Sequence, residues 1–177
     1  GPHVPNDSEA FMRAHPYVDI GAHNEGETVA LHLVENFERR AWTSVPSISF
    51  IDKSGKLIKT PPAMRIKSLD EIPSPYLEGV FDPLIEANPQ EQWLVMWETN
   101  RGCPFSCTFC DWGSATQSKV YQFALDRLYK EIDWIASKKI EFIFCCDANF
   151  GILKRDLEIA QYVANSKHAT GYPKALS

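Results

Sequence analysis

Trp93-Leu94-Val95-Met96-Trp97-Glu98-Thr99-Asn100-Arg101-Gly102-Cys103-Pro104-Phe105-Ser106-Cys107-Thr108-Phe109-Cys110-Asp111-Trp112-Gly113 decides how this chain is read. Its opening, Trp93 to Glu98, is a compact apolar run of strand length. The run passes directly into a loop whose cysteines, Cys103, Cys107 and Cys110, stand at C-x3-C-x2-C spacing. Three thiolates from one short loop can wrap one corner of a [4Fe–4S] cube, because soft thiolate sulfur suits iron. Three protein ligands for four irons leave one iron open to a substrate or cofactor. The competing readings fit less well. A structural zinc site uses four ligands, often as paired C-x2-C knuckles, and its fourth ligand here would have to be Cys145, Cys146 or a histidine. Buried structural thiols fit poorly in a Gly- and Pro-containing loop just past a strand.

Downstream of the loop, Val120, Ala124, Leu128, Ile132 and Ile135 form one stripe of a helix expected from about Lys119 to Ser137. Ile140 to Cys146 is a continuous apolar run, which predicts a strand buried on both faces, as in a parallel sheet. A second helix is expected over 156–166 with Leu157, Ala160 and Ala164 inward, and Tyr172 to Ser177 reads as a turn entering a further strand. Strand, helix, strand, helix, strand predicts an α/β fold with right-handed crossovers.

Upstream, a short helix is expected near Ser8 to His15 and a short strand at Tyr17 to Ile20. Asn24-Glu25-Gly26-Glu27 precedes a helical repeat of Val29, Leu33 and Phe37, with acids at the start that suit the helix dipole. Ile48 to Ile51, Asp52-Lys53-Ser54-Gly55 and Leu57-Ile58 read as a β-hairpin. Residues 59–92 are dense in proline, including Pro61-Pro62 and Pro73-Ser74-Pro75, and read as a linker at a domain boundary. The organisation expected is therefore 1–45, a hairpin and linker over 46–92, and 93–177.

A net charge of −5 argues against a general nucleic-acid binder, which needs a basic surface. No apolar run approaches the length of a membrane span and no signal peptide is visible. The five cysteines are then read as metal ligands or buried thiols of a cytoplasmic protein, not as a disulfide set. Cys145 and Cys146, adjacent on a strand, face opposite sides and read as small buried hydrophobes. The histidines show no metal spacing. The chain opens Gly1-Pro2-His3, without Met, and is expected to be a fragment.

The cysteine loop resembles the C-x3-C-x-aromatic-C motif of the radical S-adenosylmethionine (radical SAM) superfamily, with Phe109 at the aromatic position. The resemblance implies a partial (β/α)6 barrel with the cluster at the C-terminal ends of its strands. It implies that Cys103, Cys107 and Cys110 ligate a [4Fe–4S] cluster whose open iron chelates SAM. Reductive cleavage of SAM then gives methionine and a 5′-deoxyadenosyl radical. Phe109 would pack near the adenine. The second strand ends Asp147-Ala148-Asn149-Phe150-Gly151, where many members carry a Gly-Gly-Glu-like motif. This sequence departs from that motif, and Asp147 and Asn149 are taken to contact SAM in its place.

The order of landmarks before the barrel is similar to that of radical SAM proteins with a Rossmann-like cobalamin-binding domain: Gly1 to Pro5, Asn24 to Glu27, Ala63-Met64-Arg65, and Leu69 to Tyr76. Asn24 stands where that family's Gly-Glu-Gly-Glu-like turn has its first glycine. The resemblance makes residues 1–45 the tail of a cobalamin domain, with Glu25, Gly26 and Glu27 near the cofactor in the parent protein. Such proteins are often methyltransferases acting on a small-molecule or peptide substrate, with electrons from a flavodoxin or ferredoxin. Two rival readings are a radical SAM enzyme without functional cobalamin and a non-catalytic zinc or electron-transfer module.

Overall fold

The computed structural model describes residues 4–105, 107–109 and 119–177. The chain divides into two compact units, one ending at Ile66 and the other beginning at Lys67. The division falls inside the proline-dense stretch. The hairpin and residues 60–66 belong to the first unit and residues 67–92 to the second.

The first unit contains helix α1 (Ser8–Ala14), strand β1 (Gly21–Ala22), helix α2 (Gly26–Glu35), a 3-10 turn at Trp42–Ser44, and strands β2 (Ile48–Ile51) and β3 (Leu57–Lys59). β2 and β3 form the expected hairpin, with Phe50 opposite Ile58. Its turn is built by Asp52, whose Oδ1 accepts from the Ser54 amide at 2.8 Å and the Lys56 amide at 3.0 Å. The strand expected at Tyr17 to Ile20 lies further on. The turn that leaves α1, closed by Val18 N–H to the His15 carbonyl, uses up those residues. Only Gly21 and Ala22 pair with β2, antiparallel. Val29, Val45, Ile48 and Phe50 form the core, with Leu33 and Trp42 against it. Phe37 does not join this core. α2 ends at Glu35, the Asn36 side chain donates back to the His32 carbonyl at 2.8 Å, and Phe37 is exposed beyond the cap.

The second unit contains a 3-10 turn at Leu69–Glu71, then α3 (Asp82–Ala87), β4 (Leu94–Trp97), β5 (Asn100–Arg101) and β6 (Tyr121–Gln122). There follow α4 (Leu125–Ser137), β7 (Phe142–Cys145), α5 (Lys154–Thr170) and β8 (Ala175–Leu176). β4, β7 and β8 form a parallel sheet in that order. The α/β reading with parallel strands therefore holds. Val95, Trp97 and Ile143 point to one face of this sheet, where Leu128, Ile132, Ile135, Ile159 and Val163 are buried with them. The expectation that the second strand is buried on both faces is not met. Side chains alternate along a strand, and the helices cover one face. On the other, Leu94 is 60% exposed, Met96 66% and Phe144 47%.

Two helix readings change. The stripe beginning at Val120 starts as strand: Asn100 and Arg101 pair antiparallel with Gln122 and Tyr121, and the Phe123 amide donates to the Thr99 carbonyl at 3.1 Å. Val120, Tyr121 and Phe123 are β-branched or aromatic and favour this pairing. Helix α4 begins at Leu125, where Asp70 accepts the Ala124 amide at 3.0 Å. α5 is longer than expected and rotated. Its inward face is Asp156, Ile159 and Val163, whereas Leu157 is 78% exposed. The Asp156 carboxylate fixes the rotation by accepting from the Gly151 amide at 2.8 Å and the Leu153 amide at 3.0 Å. Among the described residues no helix is long and apolar enough to cross a membrane.

Candidate iron–sulfur loop and its supports

β4 delivers the chain to Thr99 and Asn100, both fully buried polar residues. They survive burial because every strong donor they carry finds an acceptor. Asp147, just past the C-terminal end of β7, supplies most of them. Its Oδ1 accepts from the Thr99 amide at 2.7 Å and the Asn100 amide at 3.2 Å. Its Oδ2 accepts from the Asn100 side-chain amide at 2.7 Å and from the Thr99 hydroxyl. Arg155, in the first turn of α5, closes the arrangement from another direction. Its Nη2 donates to the Thr99 carbonyl at 3.0 Å and its Nη1 to the Phe123 carbonyl at 2.7 Å. Burial pushes the Asp147 carboxyl up, against the downward pull of the Thr99 and Asn100 hydrogen bonds. Burial pulls the Arg155 guanidinium down, opposed by Asp156 and Asp147.

Beyond Asn100 the chain turns at Gly102, whose φ of 124° lies where glycine alone is at ease. Just before this turn, Arg101 pairs with Glu98 at 2.8 Å. Cys103 follows and is buried; its Sγ receives the Asn149 side-chain N–H at 2.9 Å. Cys107 is exposed, and both are free thiols. Phe109 is 91% exposed. Cys110 lies outside the described residues. Among the described residues no three His, Cys, Asp or Glu side chains are grouped as a metal site. The two described thiols of the loop, Cys103 buried and Cys107 exposed, are free and would supply soft sulfur donors of the kind that hold an iron–sulfur cluster.

β4 is supported from behind by a buried ion pair. Glu131 accepts the Trp97 indole N–H at 2.7 Å and pairs with Arg127 at 3.0 Å. Cys145 and Cys146 take no part in the loop. Burial pushes the Cys145 thiol up to about 12 and raises that of Cys146, so both are protonated at neutral pH.

The structure therefore gathers Cys103, Asp147 and Asn149 at one end of the parallel sheet and places Cys107 and Phe109 in the loop above. Thr99, Asn100, Arg155 and Glu131 were not among the residues expected from the sequence. A buried Thr-Asn pair leaves no signal until its partner at Asp147 is known.

In the first unit, Asn24 has a φ of 62°. This is the left-handed region, which explains why asparagine can replace a glycine there. Glu25 is the N-cap residue of α2. Its carboxylate accepts the Ile66 amide at 2.7 Å and lies 4.0 Å from Arg65. Gly26 and Glu27 begin the helix, and nothing lies within 4 Å of where a Gly26 side chain would start.

No protein-family model matches the chain. Among curated proteins it is 47% identical, over 99% of its length, to a 2-(S-pantetheinyl)-carbapenam-3-carboxylate methyltransferase of Streptantibioticus cattleyicolor. It is 45% identical, over 98% of its length, to the cobalamin-dependent radical SAM methyltransferase TokK of Streptomyces tokunonensis. This chain is homologous to a segment of the cobalamin-dependent radical SAM methyltransferases. It spans about a quarter of those relatives, 26% of each. The fold of the radical SAM methyltransferase TsrM from Kitasatospora setae, solved with cobalamin and a [4Fe–4S] cluster, matches 93% of this chain and 33% of that one. The TM-score is 0.61 at 17% identity, a likeness of fold alone.

Proposed function

We propose that this chain is the cluster-bearing segment of a cobalamin-dependent radical SAM enzyme, with Cys103, Cys107 and Cys110 as the ligands of a [4Fe–4S] cluster. The observation that carries the reading is the delivery of the cysteine loop from the C-terminal end of a parallel strand, β4, onto the end of its parallel neighbour β7. Parallel α/β folds build their sites at that end. Residues 93–177 form the start of a partial (β/α)6 barrel in this reading, 46–92 a hairpin and linker, and 1–45 the tail of a cobalamin-binding domain.

When loaded, the cluster supplies the electron that splits SAM into methionine and a 5′-deoxyadenosyl radical. The chain's own residues hold and shape that site. Cys103 ligates from a buried position and Cys107 from the surface. Phe109 offers an exposed ring to the adenine. Asn149 lies against Cys103, within reach of SAM. Asp147 is not assigned to SAM, because Thr99 and Asn100 already occupy its oxygens. Glu25, Gly26 and Glu27 face cobalamin in the whole protein, with Glu25 held in place by Ile66 and Arg65. Methyl transfer to a small molecule is the reaction carried over from the relatives, with a flavodoxin or ferredoxin as the electron source and the cytoplasm as the compartment.

The test is anaerobic incubation of the protein carrying this segment with SAM and a low-potential reductant. Methionine and 5′-deoxyadenosine should accumulate, and Cys103→Ala should abolish both. Unconsumed SAM with a fully loaded cluster would overturn the proposal.

A further inference from the structure

We propose that Asp147 is a positioning residue of the cysteine loop, fixing the backbone that presents Cys103, and that it does not bind SAM. The inference rests on the cluster reading above. An ionised carboxylate offers about four acceptor positions, and the backbone and side chains of Thr99 and Asn100 fill them. Oδ1 takes the two main-chain amides at 2.7 and 3.2 Å. Oδ2 takes the Asn100 side-chain amide at 2.7 Å and the Thr99 hydroxyl. A SAM ammonium bound to these oxygens would have to displace donors on two residues that are buried from water. Orphaning such donors costs more than a new contact returns.

The same residues are held from the opposite side. The Thr99 carbonyl accepts from Arg155 at 3.0 Å and from the Phe123 amide at 3.1 Å. Thr99 thus has its amide and hydroxyl fixed by the loop after β7 and its carbonyl fixed by α5 and the strand that returns through β6. Cys103 lies a short step further along this anchored backbone. Two residues beyond Asp147, Asn149 touches the Cys103 sulfur itself. The loop that ends β7 therefore sets both the backbone before Cys103 and the position of its thiol. This is outer-shell orientation of a metal ligand.

The two roles predict different responses to Asp147→Asn. Asparagine keeps an acceptor for the two amides but has no charge for an ammonium. The Asn100 Oδ1 is buried without a partner among the described residues. An Asn100 side-chain flip would let that oxygen receive the new amide N–H, but it would leave the Asn100 Nδ2 in the partnerless position. Asp147→Asn should therefore loosen the loop less than Asp147→Ala, which releases it.

The experiment compares wild type, Asp147→Asn, Asp147→Ala and Thr99→Val in the protein carrying this segment, reconstituted anaerobically with iron and sulfide. Three quantities are read: cluster loss to an iron chelator, the electron paramagnetic resonance of the reduced cluster, and SAM affinity. Losing the charge-assisted bonds in Asp147→Ala should speed cluster loss about tenfold and broaden the resonance. Asp147→Asn should lose its cluster more slowly than Asp147→Ala and stay within about threefold of wild type in SAM affinity. Should Asp147→Ala fail to fold, Thr99→Val removes only the hydroxyl, which donates to Asp147 and accepts the Asn100 side-chain N–H at 3.2 Å. It should speed cluster loss about threefold at wild-type SAM affinity.

A tenfold loss of SAM affinity in Asp147→Asn with an intact cluster would overturn the proposal. So would wild-type cluster retention in both Asp147→Ala and Thr99→Val. Wild-type protein that takes up no cluster would overturn the cluster reading, and this inference with it. A wild-type protein that loads its cluster, with both variants retaining it equally well, would overturn this inference alone.

Discussion

Glu131→Ala removes the acceptor behind the strand that carries the cysteine loop. Glu131 accepts the indole N–H of Trp97 at 2.7 Å and pairs with Arg127 at 3.0 Å, and its side chain is 4% exposed. Trp97 is among the most buried residues of the chain, and Arg127 also lies over the Phe123 ring at 4.4 Å. Truncation leaves a fully buried indole donor without its acceptor and a largely buried guanidinium with only the Ile72 carbonyl. Breaking one partner of a buried pair costs about 3–5 kcal/mol. Of this, about 1–3 kcal/mol is the orphaned indole N–H. The assay is urea unfolding followed by circular dichroism. At a slope of about 1–3 kcal/mol per molar, the midpoint should fall by about 1 M or more. Replacing both charges, Arg127→Met with Glu131→Leu, should recover the part of the loss that belongs to the unpaired guanidinium and leave the part due to the orphaned indole N–H. A Glu131→Ala loss below about 1 kcal/mol, or a double variant no better than the single one, would refute the reasoning.

Three further outcomes are expected. Asn24→Val should destabilise by about 1–2 kcal/mol, because a β-branched residue resists a left-handed backbone, while Asn24→Gly should be close to neutral; thermal unfolding reads both. Gly21→Ala should cost about 1–3 kcal/mol in the same assay, since its Cβ would sit 2.9 Å from the Ser49 Oγ and 3.0 Å from a Val4 methyl. Cys145 has its thiol raised from 9.0 to about 12 by burial. A folded value above the unfolded one means its contribution is whole below pH 9 and is lost as pH climbs towards 12. Cys145→Ala should flatten that alkaline decline, measured as urea midpoint against pH. An unchanged slope would contradict the assignment.

The parallel βαβ order was legible because it rests on long apolar runs, Trp93 to Glu98 and Ile140 to Cys146, separated by a helical stripe. The hairpin was legible because Asp52-Lys53-Ser54-Gly55 supplies its own turn chemistry. What periodicity could not give is rotation and partnership. Leu157 and Ile159 offer two plausible inward faces for α5, and a capping carboxylate at Asp156 decides between them. Val120 extends a helical stripe in sequence, yet residues 121–122 pair with 100–101 and Val120 lies ahead of that strand, outside the helix. The cysteines of the site were legible from spacing alone. The residues that hold them were not, because Thr99, Asn100 and Arg155 act through contacts with residues far away in sequence. Asp147 was picked out from its place after the second strand, but its hydrogen-bond partners were not. Only the fold brings them against Thr99 and Asn100.

The central claim is that Cys103, Cys107 and Cys110 hold a [4Fe–4S] cluster with one open iron. Anaerobic reconstitution with iron and sulfide, set against the Cys103→Ala, Cys107→Ala, Cys110→Ala triple variant, tests it most directly. The wild-type protein should show a broad visible absorption that bleaches with dithionite, and the triple variant should lack it. Tight stoichiometric zinc binding with no such absorption would contradict the claim.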